Sequence, residues 1–243
     1  MVPDTSTSPD EAATDSALSG EALLRLLRLA SPALPVGAYS YSQGLEWAIE
    51  SGTVHDAASA REWIADLLRF SLARFEAPLW WRLYRAWAAG DTRSAAHWNE
   101  LYVASRETAE LRAESLQMGG SLKQLALELA EYPPDALAQL RGLEPASYVA
   151  VAAFCAAVGG IAPRAALLAY LWSWAENQVL AAIKAVPLGQ LGGQRMLLAL
   201  SPEIERAVAV AEVLEDDQLS NFAPGLALAS SLHETQYSRL FRS

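Results

Sequence analysis

The sequence predicts an all-α fold: a single helical-bundle domain of about ten helices, with a disordered acidic N-terminus and a C-terminal docking tail. Three observations carry that expectation. Ala and Leu supply 85 of the 243 residues, while Val, Ile and Thr supply 24. Ala and Leu lose least on entering a helix, and β-branched residues dominate strands. Apolar residues recur at three- and four-residue spacing through most of the chain, the period of one helix face. Prolines fall between those stretches, where they open or end helices. With 52% hydrophobic and only 19% charged residues, the chain has the material for a large core.

Residues 1–19 are rich in Ser, Thr, Pro and Asp, lack apolar periodicity, and are expected to be disordered. The helical domain is assigned to 20–233. Its first helix carries Leu23, Leu26, Leu27 and Ala30, and the Pro32–Pro35–Gly37 stretch breaks it. A short helix around Leu45, Ala48 and Ile49 ends near Gly52. Ser59 with Glu62 fits a capping box before an apolar face of Trp63, Ile64, Leu67, Leu68, Leu72 and Phe75. Pro78 is expected to open the next helix, and Asp91 to cap a longer one running through Leu125. Gly119-Gly120 lies inside that pattern. Glycine there costs about 1 kcal/mol relative to Ala, so close packing or a kink is implied. Helices are then expected at about 135–141, 146–158, 163–186, 188–199, 202–216 and 223–233, punctuated by Pro187, Pro202 and Pro224. The tail, 234–243, has no helical period.

The formal net charge is −10, with only two lysines, Lys123 and Lys184. Phosphate backbones require dense cationic surface, so nucleic-acid binding and anionic-membrane binding are disfavoured. The longest uncharged run, Pro145–Pro163, is mostly Ala and too weak for a membrane span, which points to a buried helix. No basic, apolar leader opens the sequence, and the single Cys155 reads as a buried thiol; a cytoplasmic location is expected.

Catalytic signatures are absent. There is no GxxxxGK[ST] phosphate loop, no GxGxxG, no GxSxG, and no Cys/His cluster around His55, His97 or His233. An active site at Ser40 or Lys184 would need a positioned base, which the pattern does not supply. No catalytic residue, metal ligand or stably bound cofactor is therefore expected.

Four segments are not generic. Pro32–Glu46 packs aromatics, hydroxyls and glycines into a turn entering a helix: either a structured connection or a contact surface. Arg106–Leu122 sets Glu107, Glu110 and Glu114 at one-face spacing, which reads most simply as a solvated face with ion pairs to Arg106 and Arg112. Asn177, Gln178, Lys184, Gln190 and Gln194 lie in apolar surroundings, where buried polar groups need partners. They form either a polar network or the lining of a wet passage. The tail His233–Ser243 holds aromatics and two arginines, the residue types enriched at interface hot spots.

These four blocks, SPALPVGAYSYSQGLE, ETAELRAESLQMGGSL, NQVLAAIKAVPLGQLGGQ and HETQYSRLFRS, occur in the order of the urease accessory protein UreF family, which the chain closely resembles from about Leu23 to Ser243. The stretch 141–164 departs from the pattern, with Ser147-Tyr148-Val149 where a histidine-bearing segment is expected. The resemblance implies an all-helical, dimeric nickel-insertion chaperone and not an enzyme. It would bind UreD (UreH), recruit the GTPase UreG, regulate it, and help deliver nickel to apo-urease, the ion being handled by the complex. By the same resemblance Tyr39, Ser40, Tyr41, Ser42, Gly44 and Glu46 would form a loop near the GTPase-facing surface. Arg239, Leu240, Phe241 and Arg242 would order on partner binding. Arg106, Glu107, Lys184, Gln190 and Gln194 would support the GTPase contact or line an ion passage.

Overall fold

The computed structural model describes residues 18–243, so the disorder expected for 1–17 falls outside the described residues. Ser19 belongs to the folded body: its hydroxyl accepts the Ala22 N–H at 3.1 Å and caps the first helix. Among the described residues there are eleven α-helices and no strands, as the composition predicts. They are α1 (Gly20–Leu29), α2 (Leu45–Glu50), α3 (Ala57–Asp66), α4 (Glu76–Ala88), α5 (Thr92–Ala104), α6 (Ala109–Leu129), α7 (Pro134–Arg141), α8 (Tyr148–Val158), α9 (Pro163–Ala185), α10 (Gly189–Val213) and α11 (Pro224–His233).

Helix α8 is the centre of the bundle. It comes from the uncharged run, and Val149, Ala150, Val151, Ala153, Phe154, Cys155 and Ala156 are all buried. Helices α4 and α6 flank it. The Phe154 ring meets Trp87 edge-on at 5.2 Å and Tyr132 at 5.4 Å. Cys155 lies inside this layer, and burial pushes its thiol up to about 12. Gly119 explains how α6 comes so close. A Cβ there would fall 2.2 Å from the Ala146 carbonyl oxygen, so only glycine admits the α8 entry strand of backbone. Helices α9 and α10 pack as a hairpin across the short Val186–Leu188 connection.

Four local expectations are corrected. The long helix expected from Asp91 breaks after Ala104, because Thr108 adopts extended backbone and its hydroxyl accepts the Leu111 N–H at 3.2 Å, starting α6 afresh. The capping box lies three residues earlier than expected: Asp56 is the cap and Ser59 its partner, the Ser59 N–H donating to Asp56 Oδ1 at 2.8 Å. Pro78 does not open α4 but sits in its first turn, where its missing N–H would be unpaired anyway. Pro202 does not end a helix; α10 runs through it. The carbonyl that loses a donor is that of Leu198, an exposed residue, so the loss falls on a face open to solvent. Among the described residues no helix is long and apolar enough to cross a membrane.

Candidate functional site

The site is built where the 37–46 loop, α6, the end of α11 and the C-terminal tail converge. Two glycines shape the loop. Gly37 and Gly44 both take φ of 77°, a region that penalises a Cβ. Gly44 also lies against α11, where a Cβ would meet the Ala229 Cβ at 3.0 Å. Between them Ala38–Ser40 forms a single 3₁₀ turn. The result aims Tyr39 outward and Ser42 inward.

The tail lies along this loop. The Arg242 N–H donates to the Ser40 carbonyl at 2.8 Å, and the Ser42 N–H donates to the Ser243 main-chain oxygen at 2.7 Å. The Ser42 hydroxyl donates to the same oxygen at 2.6 Å. Glu46, in the first turn of α2, receives the Leu240 N–H at 2.6 Å on one oxygen and the Phe241 N–H at 3.0 Å on the other. Phe241 is buried, and Lys184 Nζ stands 5.4 Å from its ring and 5.9 Å from that of Tyr39. The tail was expected to gain order on a partner; here it is already seated on its own chain, because Glu46 and Ser42 satisfy its backbone.

Beneath the tail lies a cluster of acids. His233 is fully buried, with Nδ1 2.6 Å from Glu110 Oε2 and Nε2 3.1 Å from Glu46 Oε2. Arg239 Nη1 donates to the other Glu110 oxygen at 2.6 Å. One turn along α6, Glu114 accepts from Gln43 Nε2 and from Ser243 Oγ, both at 2.7 Å. Burial pushes the Glu114 carboxyl up to about 7. The solvated carboxylate face expected on this helix is thus turned inward, buried at Glu114 and part-buried at Glu110. Their partners are His233, Arg239, Gln43 and Ser243, not Arg106 or Arg112. Glu107 precedes α6, is exposed, and accepts from Asn221 Nδ2 at 2.8 Å.

Behind the loop is a cavity of about 100 Å³, lined among others by Glu76, Tyr102, Arg106, Glu114, Tyr170 and Asn177. A water needs roughly 10–15 Å³ by the same measure, so several fit. Glu76 accepts from the Tyr102 hydroxyl at 2.8 Å and the Tyr170 hydroxyl at 2.7 Å. Burial holds both phenols well above their ordinary range. The Arg106 guanidinium stacks on Tyr102 at 4.3 Å and reaches Glu76 at 3.6 Å, leaving its buried Nε without a partner.

The structure therefore brings Tyr39, Ser40, Tyr41, Ser42, Gly44, Glu46, Lys184, Arg239, Leu240, Phe241 and Arg242 to one place. It sets Arg106 in the cavity and Glu107 apart. Gln190 and Gln194 lie exposed at the start of α10. Of the two alternatives for them with Asn177, Gln178 and Lys184, a polar network or the lining of a wet passage, the network does not form, and Asn177 lines the cavity. Lys184 is exposed, Asn177 donates to the Tyr41 carbonyl at 3.1 Å, and Gln178 is buried with both amide atoms unpaired. His233, Glu110, Glu114 and Glu76 were not among the expected site residues. The spacing of Glu110 and Glu114 is that of any helix face and did not single them out.

The structure is a helical body whose polar residues hold a loop and a tail, and the comparisons with known proteins give its family. The UreF family model matches residues 54–201. The chain is 56% identical over 223 residues to the urease accessory protein UreF of Azoarcus sp. (strain BH72), covering 91% of this chain and 95% of that one. It is 51% identical over 226 residues to UreF of Janthinobacterium sp. (strain Marseille), covering 93% and 100%. It is 49% identical over 246 residues to the bifunctional urease accessory protein UreEF of Bordetella bronchiseptica, covering 100% of this chain and 57% of that one. The chain belongs to the UreF family.

Proposed function

We propose that this protein is a nickel-insertion chaperone of urease maturation, acting in the cytoplasm as a homodimer that bridges UreD (UreH) and the GTPase UreG. It regulates the GTPase and helps deliver nickel to apo-urease, the metal being cargo of the complex and no cofactor being held stably by this chain. The observation that carries the reading is the 56% identity to a urease accessory protein over 91% of the chain. The Bordetella relative, which combines UreE and UreF in one chain, supports a place among urease accessory factors.

The loop–tail surface supports the bridging part. Tyr39, Tyr237 and Leu240 stand exposed around it, beside the exposed Lys184. Aromatic area of this kind gives contact energy at little entropic cost. The cavity behind the loop supports the passage part. Of Arg106, Glu107, Lys184, Gln190 and Gln194, Arg106 lines it. A non-catalytic role is supported by the relatives, which are named urease accessory proteins.

Reconstituted urease activation tests the reading. Apo-urease, UreD, UreG, GTP and nickel are expected to yield active urease only when this chain is added. Equal activation in its absence overturns the proposal. Removal of 234–243 is expected to leave the helical body folded and to abolish co-elution with UreD or UreG on a size-exclusion column.

A further inference from the structure

We propose that the C-terminal segment is a proton-linked strap: it lies on the loop while Glu114 is protonated and is released as Glu114 ionises. The proposal stands on this chain alone and does not depend on the partners named above.

The geometry singles out Glu114 among the three acids under the strap. Glu46 and Glu110 each touch a cationic or imidazole partner, His233 for both and Arg239 for Glu110. Glu114 is buried, yet its hydrogen bonds come from two neutral groups, the Gln43 amide and the Ser243 hydroxyl. An ionised carboxylate buried without a countercharge is unfavourable, and the molecule relieves it by hydrating it. The group that covers Glu114 from above is Ser243, itself fully buried and tied by its main-chain oxygen to Ser42. Glu114 borders the cavity behind the loop on one side, and lifting the strap opens its other side to bulk solvent.

The other charges around the cluster oppose or assist this in a defined way. From α2, Glu46 faces His233, and Glu50 holds Gln236. From α6, Glu110 faces His233 and Arg239. From the cavity side, Glu76 raises Glu114 and Arg106 lowers it. From α11, Glu234 accepts the Ala109 N–H, and from α9, Lys184 covers the Phe241 ring. The tail's Arg242 lies by the Tyr41 hydroxyl, which donates to Gln117. His233 bridges two of these acids, its Nδ1 facing Glu110 and its Nε2 facing Glu46.

The sign follows. With the strap seated the Glu114 proton is held up to about pH 7; with the strap lifted and Glu114 hydrated, it leaves nearer the ordinary carboxyl value of about 4.3. Between those limits release of the strap also releases a proton, so rising pH loosens it, and above about 7 the effect levels off.

Hydrogen exchange of the full chain, read by mass spectrometry on the 234–243 peptide and corrected for intrinsic rates, tests this. From pH 5 to pH 8 the protection of the tail is expected to fall about tenfold or more, while the α8 peptide stays protected. In Glu114→Gln, which cannot ionise, the fall is expected to shrink to less than about threefold. Ser243→Ala, which removes the buried hydroxyl over Glu114 and leaves the helices untouched, is expected to lower tail protection at pH 5 toward its pH 8 level. Protection that is flat across the range in the natural sequence, or an undiminished fall in Glu114→Gln, overturns the proposal.

Discussion

His233 and Glu46 stand 187 residues apart in sequence and meet at 3.1 Å, with Glu110 closing the other side of the ring. This contact ties the end of α11 to the first turn of α2, and Glu46 in turn holds the tail. Removing the ring leaves two largely buried carboxylates facing each other. Loss of one member of such a group costs about 3 kcal/mol. His233→Ala is expected to lower the stability in chemical denaturation by about that amount, and His233→Gln by less, since its amide still donates to one acid. A loss in His233→Ala below about 1 kcal/mol would show that the cluster is not a structural anchor.

The two adjacent glycines of α6 are expected to respond oppositely to alanine. At Gly119 the added Cβ meets backbone, the Ala146 oxygen at 2.2 Å, which cannot yield without shifting α8. Overpacking of this kind costs about 1–3 kcal/mol. At Gly120 nothing lies within 4 Å, so the helix gains alanine's propensity, up to about 1 kcal/mol. Thermal unfolding of the two variants checks the pair; the same sign for both sinks the account of α6–α8 packing.

That contrast shows what was legible in the sequence. The helical class, the buried α8 and the need for close approach at the glycine pair follow from periodicity and composition, which report local preference and burial. The break at Ser105–Thr108 was hidden because apolar spacing continues across it; it is enforced by one hydroxyl cap that also bonds Ser230, 122 residues away. The acid cluster was hidden for a related reason. Glu110 and Glu114 have the spacing of any solvated helix face, and only the arrival of His233 and the tail turns that face inward. Lys184 erred the other way: its neighbours in sequence are apolar, but its position on α9 faces solvent beside Tyr39.

A different acid is expected to give the opposite pH response to Glu114. Glu203 on α10 receives Arg69 Nε at 3.1 Å and Nη2 at 2.7 Å, with Arg206 at 2.5 Å on the same carboxylate. The arginine hydrogen bonds hold its carboxyl down to about 2. A depressed carboxyl contributes stability above the unfolded value of about 4.3, and that contribution is lost as pH falls through 2. Because Arg69 is part-exposed, screening limits the pair to about 1 kcal/mol. Glu203→Gln is expected to flatten the stability profile between pH 4.5 and 2 by about that amount. An unchanged acid slope would mean that the pair does not outlast solvation.

Lys184 separates folding from docking. Its ammonium covers the Phe241 and Tyr39 rings from the solvent side and makes one long bond, 3.4 Å, to the Tyr39 carbonyl. An exposed cation–π contact is worth about 0.5–1 kcal/mol, which in a chain of this size moves the melting temperature by about 1–4 °C. Charge reversal in Lys184→Glu therefore costs little stability. It does place a carboxylate at the centre of the exposed aromatic rim around the loop and tail, where a docking protein would have to bury it. Under the proposed bridging role, Lys184→Glu is expected to weaken capture of UreG or UreD by about tenfold or more, with a melting shift under about 4 °C. Capture at full strength by a folded Lys184→Glu protein would remove this rim from the docking surface and leave the loop's fold as the only role for the lysine.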